Sequence, residues 1–132
     1  MRFWGYHLML DCAGCIPNTI RDRQTIHAFT DNLVRRIDMI PYGSPLIQHF
    51  GSGNKAGYTL VQLIETSNIC AHFVEETDDM YLDVFSCKEF CPEEVAQVVR
   101  HYFGPDRMNT KFVVRQAPLK NELSILKNTE LK

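Results

Sequence analysis

The stretch that decides the fold is residues 58–86, YTLVQLIETSNICAHFVEETDDMYLDVFS. It contains three runs rich in aliphatic, β-branched and aromatic residues, and such runs are typical of β-strands. The runs are residues 58–65, 68–74 and 80–86. Only Thr66-Ser67 separates the first two, and the acidic residues 75–79 separate the last two. Because separators this short join antiparallel neighbours, the stretch predicts the centre of an antiparallel sheet.

Two helices and three further strands are predicted around this centre. Apolar residues recur with a period of two in the first strand and at helical spacing in each helix. The strands are predicted at residues 3–11, 46–50 and 111–115, and the helices at about residues 20–39 and from residue 92 to the Gly-Pro pair at 104. The order β-α-β-β-β-β-α-β favours an α+β two-layer sandwich, in which both helices cover one face of the antiparallel sheet. The other face needs water or a partner, so we expect a self-associating dimer.

The length and charge of the chain limit the classes of protein to which it can belong. Its 132 residues suit one domain with a substantial core, expected at residues 1–115, with residues 116–132 as a polar extension. The net charge of −2 argues against non-specific nucleic-acid binding, which needs a basic face. No apolar run approaches the roughly 20 residues of a membrane span, and the N-terminus lacks a signal-peptide pattern. We therefore expect a soluble, cytoplasmic protein.

The chain has five cysteines, an odd number that does not suit a disulfide framework. Free thiols in a reducing compartment are the expectation. Cys12 and Cys15 form a C-x-x-C that offers half a zinc site or a redox pair. A zinc site wants a second pair, for which Cys87 and Cys91 are only a loose match, and a redox motif should open a helix rather than precede Pro17. We predict no metal.

Three residues of the central stretch carry reactive side chains at a defined spacing. Ser67 is followed five residues later by His72 and twenty residues later by Cys87. Taken singly, each has an ordinary structural interpretation: a turn serine, a hydrogen-bonded histidine on a half-buried strand, and a cysteine that fills the core. If residues 68–74 and 80–86 pair through the acidic turn, His72 and the end of the second strand are expected to lie in neighbouring rows. Ser, His and Cys at this spacing are by themselves weak evidence for catalysis.

The wider set of motifs is more specific. It comprises Gly5-x-His7-Leu8, Asp11, Gly57-x-Thr59, Ser67-x-x-x-x-His72 and Asp83-x-Phe85-x-Cys87. In its spacing and its order of elements the chain resembles, from about residue 3 to about residue 115, the short prokaryotic form of S-adenosylmethionine decarboxylase. That family is pyruvoyl-dependent, is made as a self-cleaving proenzyme and forms dimers with sites at or near the subunit interface.

The resemblance implies a role for each reactive residue. Decarboxylation of an amino acid needs an electron sink, and a ketone that forms a Schiff base with the substrate provides one. By resemblance, the Ser67 hydroxyl attacks the Thr66 carbonyl, Thr59 stabilises the tetrahedral intermediate, and His72 removes the Ser67 α-proton. The resulting dehydroalanine hydrolyses to the pyruvoyl group. Cys87 then resembles the donor that returns a proton to the substrate.

Substrate contacts follow less closely from the resemblance. Phe50 is the candidate for stacking on adenine, Glu76 for binding the ribose hydroxyls, and Asp11 for a further acidic contact. The family pattern Trp-Pro-Glu-x-Gly is altered here, because Val74 and Glu75 stand in place of the tryptophan and proline. The acidic turn 75–79 would also suit a basic amino acid.

Three hypotheses remain open from the sequence. The first is a pyruvoyl-dependent S-adenosylmethionine decarboxylase that supplies polyamine (spermidine) synthesis. The second is the same scaffold and cofactor acting on arginine or ornithine. The third is a non-enzymatic relative that is never cleaved, because Thr66 stands where the family has glutamate and a β-branched residue stiffens the backbone there.

Overall fold

A computed structural model describes residues 3–120, and these fold into one antiparallel sheet with helices on one face. The strands are β1 (Gly5–Ala13), β2 (Pro41–Phe50), β3 (Gly57–Ile64), β4 (Ser67–Val74), β5 (Asp79–Ser86) and β6 (Arg107–Arg115). The helices are α1 (Pro17–Ile20), α2 (Arg23–Arg36) and α3 (Pro92–Phe103), and a 3-10 turn covers Gly53–Lys55. The strand order is β2-β3-β4-β5-β1-β6. The predicted α+β sandwich is confirmed.

The core lies between the sheet and the two longer helices. Alternate residues of each central strand are buried, and they join the apolar faces of α2 and α3 in one cluster. Phe103 of α3 is at its centre, with its ring 4.8 Å from that of Phe29 in α2 and 5.3 Å from that of Phe73 in β4. The opposite face of the sheet, called the outer face below, is not covered by any helix among the described residues.

Two elements differ from the sequence-based expectation. The predicted helix at 20–39 is two helices, because Asp22 begins a new one by accepting a hydrogen bond from the Thr25 N–H at 3.2 Å. Strand β2 begins at Pro41 rather than at residue 46. Prolines are tolerated there because β2 is an edge strand, and its pairing is interrupted between Tyr42 and Leu46.

Two further differences concern the ends of the chain. Trp4, expected on the apolar face of the first strand, lies before β1 and is exposed. Strand β6 is longer than predicted and begins at Arg107. The expected polar extension falls mostly on residues 121–132, which lie outside the described residues. None of the helices found between residues 3 and 120 has the length and apolar character needed to cross a membrane.

The register of the central strands determines where the candidate site residues lie. Strands β3 and β4 are joined by the two-residue turn Glu65-Thr66, so Ser67 is the first residue of β4. Ser67 pairs with Ser86 at the end of β5, and His72 pairs with Tyr81 near its start. The two ends of β4 therefore belong to different parts of the surface, and we call them the turn end and the His72 end.

Candidate active site

The turn end of β4 is held by main-chain contacts from outside the hairpin. Two-residue hairpin turns usually require positive φ angles, and neither Glu65 nor Thr66 has one. Instead, the Glu65 N–H donates to the Ile40 carbonyl at 2.9 Å, and the Cys87 N–H donates to the Thr66 carbonyl at 2.9 Å. The carbonyl of the residue before Ser67 is thus polarised by a fixed main-chain donor.

Side chains also converge on this turn. Thr66 Oγ1 lies 2.8 Å from Ser86 Oγ, and Ser86 is completely buried. Cys87, half-buried, follows Ser86 directly, so the register that pairs Ser67 with Ser86 brings Cys87 to the same end. Sequence reasoning overlooked Ser86. Ser86 could have been found from its position next to Cys87, together with the register that pairs it with Ser67.

The His72 end is more open. Thr59 and His72 are direct partners across β3 and β4, and Thr59 Oγ1 lies 3.3 Å from His72 Nδ1. They line a cleft of about 520 Å³ together with Phe50, Tyr81 and residues of the turn after β4. His72, Phe50 and Tyr81 are exposed. A histidine beside a hydroxyl in an open cleft can accept or deliver a proton.

The structure does not bring these two ends together within one chain. Five residues of extended strand separate Ser67 from His72, which corresponds to about 16 Å at 3.3 Å per residue. The expectation that His72 would neighbour the end of β5 is wrong, because its partner is Tyr81. Ser67, Thr66 and Cys87 form one group, and Thr59, His72 and Phe50 form another.

Two other predicted site residues are placed apart from both groups. Asp11 is exposed on β1, where it pairs with Tyr81 on one side and Asn109 on the other. Glu76 is exposed in the turn after β4 and is not among the residues that line the cleft. Its neighbour Glu75 does not line the cleft either, but Glu75 Oε2 lies 2.8 Å from His49 Nε2, and the His49 ring packs at 4.9 Å against Tyr58, which does line it.

The acidic turn after β4 is largely engaged in contacts within the fold. Arg21 forms an ion pair with Asp78 at 3.0 Å and donates to the Glu75 carbonyl at 2.5 Å. Asp79 accepts a hydrogen bond from the Thr77 hydroxyl at 2.7 Å. The charge of this turn therefore has a structural explanation and does not by itself indicate a basic substrate.

The motif residues His7 and Asp83 form a pair on the outer face. His7 Nε2 lies 2.9 Å from Asp83 Oδ1, and the His7 ring is 5.7 Å from the Phe85 ring. These contacts lie across β1 and β5, between the two ends of β4. Sequence reasoning assigned them no role.

The C-x-x-C pair lies away from the site and is poorly suited to thiolate chemistry. Burial raises the pKa of Cys12 to about 11 and that of Cys15 to about 12. Metal ligation and redox exchange both use the thiolate, and at neutral pH these thiols stay protonated. Within the part of the chain that the structure describes, no three His, Cys, Asp or Glu residues are placed to hold a metal ion.

Comparisons with known proteins point to one family. The sequence model of a family described as S-adenosylmethionine decarboxylase matches residues 6–116. S-adenosylmethionine decarboxylase proenzymes from two strains of Clostridium botulinum are each 22% identical over 116 residues, which is 87% of this chain and 97% of theirs.

A solved structure has the same fold. The crystal structure of the adenosylmethionine decarboxylase from Aquifex aeolicus matches with a TM-score of 0.75 and 20% identity, over 92% of this chain and 98% of that one. At this identity the structural match concerns the fold alone. The family match covers most of the described residues and all of the motifs discussed above except Gly5. The chain belongs to the S-adenosylmethionine decarboxylase family.

Proposed function

We propose that the chain is the proenzyme of a pyruvoyl-dependent S-adenosylmethionine decarboxylase that cleaves itself between Thr66 and Ser67 and serves polyamine (spermidine) synthesis. The observation that carries the proposal is the 2.9 Å hydrogen bond from the Cys87 N–H to the Thr66 carbonyl. This carbonyl is the one that Ser67 would attack. Residues 1–115 act as the single domain that performs the chemistry.

Cleavage begins with transfer of the Thr66 acyl group from nitrogen to oxygen. Ser67 Oγ bonds to the Thr66 carbonyl carbon and loses its proton, which passes to the departing Ser67 nitrogen as the C–N bond breaks. The product is an ester with a free amine. Negative charge develops on the Thr66 carbonyl oxygen during the attack, and the Cys87 N–H already points at that atom. A preorganised donor of this kind favours the transition state over the ground state.

The ester is then broken by elimination. His72 takes the α-proton of Ser67 as a general base, the electron pair forms a double bond to Cβ, and the Cβ–O bond breaks. Thr66 leaves as a carboxylate, and residue 67 becomes a dehydroalanine. Water adds to it and ammonia departs, which gives the pyruvoyl group at the start of the second chain. The Thr59 hydroxyl, 3.3 Å from His72 Nδ1, orients the imidazole and assists at the oxyanion.

Because about 16 Å separates Ser67 from His72 along β4, we propose that His72 and Thr59 act on the Ser67 of a second copy. The outer face supports such a dimer, because it lacks a helix layer and exposes large apolar side chains. These are Leu46, Phe50, Leu63 and Tyr81, each with 42–58% of its surface accessible. We propose a homodimer in which the turn end of one protomer meets the His72 end of the other.

The residues at the turn end fit a pyruvoyl group, since Ser67 opens β4 and Cys87 lies at the same end. The group supplies a ketone as the sink for the electron pair released when CO₂ leaves. Cys87 holds a proton on Sγ and returns it to the substrate α-carbon. Phe50 provides the aromatic wall for adenine, and Glu76 and Asp11 are assigned to polar contacts with the substrate.

S-adenosylmethionine is preferred over arginine or ornithine because the acidic turn is already paired with Arg21 and His49. A basic amino acid would have to compete for those carboxylates. All five cysteines are unpaired, which suits the reducing cytoplasm that we assign to the protein.

The intact mass of the purified chain tests the proposal. We expect fragments of residues 1–66 and 67–132, the second lighter by one ammonia than a chain with a free N-terminal serine. Release of CO₂ from S-adenosylmethionine, but not from arginine or ornithine, then identifies the substrate. A single full-length mass after long incubation contradicts the proposal and favours the non-enzymatic relative.

A further inference from the structure

A cluster of two hydroxyls and one sulfur, in which Ser86 is fully buried and Thr66 is partly buried, lies beneath the proposed cleavage point. Thr66 Oγ1 is 2.8 Å from Ser86 Oγ and 3.3 Å from Met39 Sδ, and Ser86 Oγ is 3.7 Å from the same sulfur. Ser86 Oγ also accepts a hydrogen bond from the Lys88 N–H at 2.9 Å. Thr66 therefore has specific partners for its side chain as well as for its carbonyl.

The hydrogen atoms of this cluster can be accounted for. Sulfur in a thioether only accepts hydrogen bonds, so the two hydroxyl protons have two destinations. One hydroxyl donates to the other, and the second donates to Met39 Sδ. Lys88 adds a main-chain donor to Ser86 Oγ. Whether Thr66 donates to Ser86 or Ser86 donates to Thr66, the proton of each hydroxyl has an acceptor.

Burial of Ser86 and Met39 restricts the movement of the Thr66 side chain. Ser86 has no accessible surface, and Met39 retains only 6%. Water does not reach Ser86 to offer its hydroxyl a substitute partner, and a buried hydroxyl that loses its partner keeps its desolvation penalty. Rotation of the Thr66 side chain away from Ser86 is therefore unfavourable.

We propose that Ser86 is a positioning residue for self-cleavage. Ser86 and Cys87 are consecutive, and together they hold Thr66 at two atoms: Ser86 Oγ at the side-chain oxygen and the Cys87 N–H at the carbonyl oxygen. Two attachments on one residue prevent the Thr66 carbonyl from turning away from its donor or from Ser67. This inference rests on the proposed self-cleavage and explains how threonine serves at this position.

The test is the rate of self-cleavage of purified variants, followed by intact mass. A misplacement of about 1 Å can slow a reaction about 100-fold, so we expect Ser86→Ala to cleave roughly 10- to 100-fold more slowly than the wild type. The matched control is Thr30→Val, which removes another fully buried hydroxyl, bonded only to the Ile26 carbonyl of its own helix. It is expected to cleave at the wild-type rate.

Substitutions of Thr66 separate positioning from a general loss of packing. Thr66→Val keeps the shape and removes the hydroxyl, whereas Thr66→Ser keeps the hydroxyl, so Thr66→Ser should cleave at least about tenfold faster than Thr66→Val. Because both residues act through one contact, Ser86→Ala/Thr66→Val should be no slower than the slower single variant. Hydroxylamine, which cuts esters, should not speed the cleavage of Ser86→Ala, because the slowed step precedes the ester and the ester does not accumulate.

The possible outcomes point to different conclusions. If Ser86→Ala cleaves at the wild-type rate, this inference is overturned and the proposed self-cleavage is not. Equal slowing in Thr30→Val also overturns it, since the effect would then be one of stability. A wild-type chain that never cleaves overturns the proposed function and this inference with it.

Discussion

The two ends of β4 differ in how completely one chain builds them. At the turn end, Thr66 is held through its carbonyl and its hydroxyl, and its partner Ser86 is fully buried. At the His72 end, one contact of 3.3 Å joins two side chains at the edge of an open cleft. His72 itself is exposed.

In the proposed dimer, this difference corresponds to separate tasks for the two ends. The bond to be broken needs a fixed geometry before any partner arrives, so its supports lie within the chain. The base needs access to a group that is about 16 Å away in its own chain. An exposed His72 on an uncovered sheet face is what a site completed by a second copy requires. Proton transfer between copies is therefore the first consequence to test.

The largest expected effect is complementation between two inactive variants. Ser67→Ala has no nucleophile, and His72→Ala has no base, so neither should cleave alone. Expressed together, they form mixed dimers in which the His72 of one chain faces the Ser67 of the other. We expect the His72→Ala chain, identified by its mass, to be cut only in the mixture.

Two controls show at which step each variant stops. His72→Ala alone should keep the full-length mass but break on treatment with hydroxylamine, because it stops at the ester. Ser67→Ala alone should resist hydroxylamine. Two results would contradict a base supplied by the partner. One is cleavage of His72→Ala on its own, and the other is a lack of cleavage in mixtures that are proven to contain mixed dimers.

The next effect concerns Cys87, whose main chain and side chain have separate tasks. Cys87→Ser keeps the N–H that contacts the Thr66 carbonyl, so self-cleavage should continue. Loss of the thiol proton donor should lower kcat by about 100-fold or more, the scale of general acid–base catalysis. Cys91→Ser, which alters an exposed thiol four residues away, should leave both cleavage and kcat unchanged. If self-cleavage and kcat both fall in Cys87→Ser, the main chain and the side chain of Cys87 do not have separate tasks.

A smaller effect is expected at the cleft of the His72 end. Phe50→Ala removes an exposed ring that lines the cleft. Stacking on a base is worth about 1–3 kcal/mol, so KM for S-adenosylmethionine should rise about tenfold while kcat changes little. Phe50→Tyr keeps the ring and should restore most of the affinity. A loss of kcat alone in Phe50→Ala would place this ring in a different role.

The parts of the fold that depend on local pattern could be predicted from the sequence. The three central strands were predicted within two residues of their bounds, and α3 follows from Pro92 and from Gly104, which ends it with φ of 50°. The start of β2 could not be predicted, because prolines are compatible with a strand only at an edge, and edge position is a property of the whole sheet.

The site illustrates a different limit. The wider set of motifs indicated the family, yet the spacing of Ser67 and His72 also suggested that His72 lies beside the end of β5, which the register of the strands excludes. The turn was expected at Thr66-Ser67, whereas it occupies Glu65-Thr66. A shift of one residue reverses the face of every side chain that follows, so the contact between Thr66 and Ser86 could not be seen before the register was known.

The smallest expected effect concerns stability and contrasts one polar contact from each end. The pair of His49 and Glu75 lies next to Tyr58 of the cleft, and both of its side chains are partly exposed, at 47% and 25%. Exposed pairs contribute up to about 1 kcal/mol and are screened by salt. A double-mutant cycle with His49→Gln and Glu75→Gln, measured by urea unfolding, should give a coupling free energy in that range that falls as salt increases. The same cycle with Thr66→Val and Ser86→Ala should give roughly 0.5–1.5 kcal/mol, unchanged by salt because neither side chain carries a charge. Equal salt dependence at both ends would contradict the contrast between a buried, completed turn end and an open His72 end.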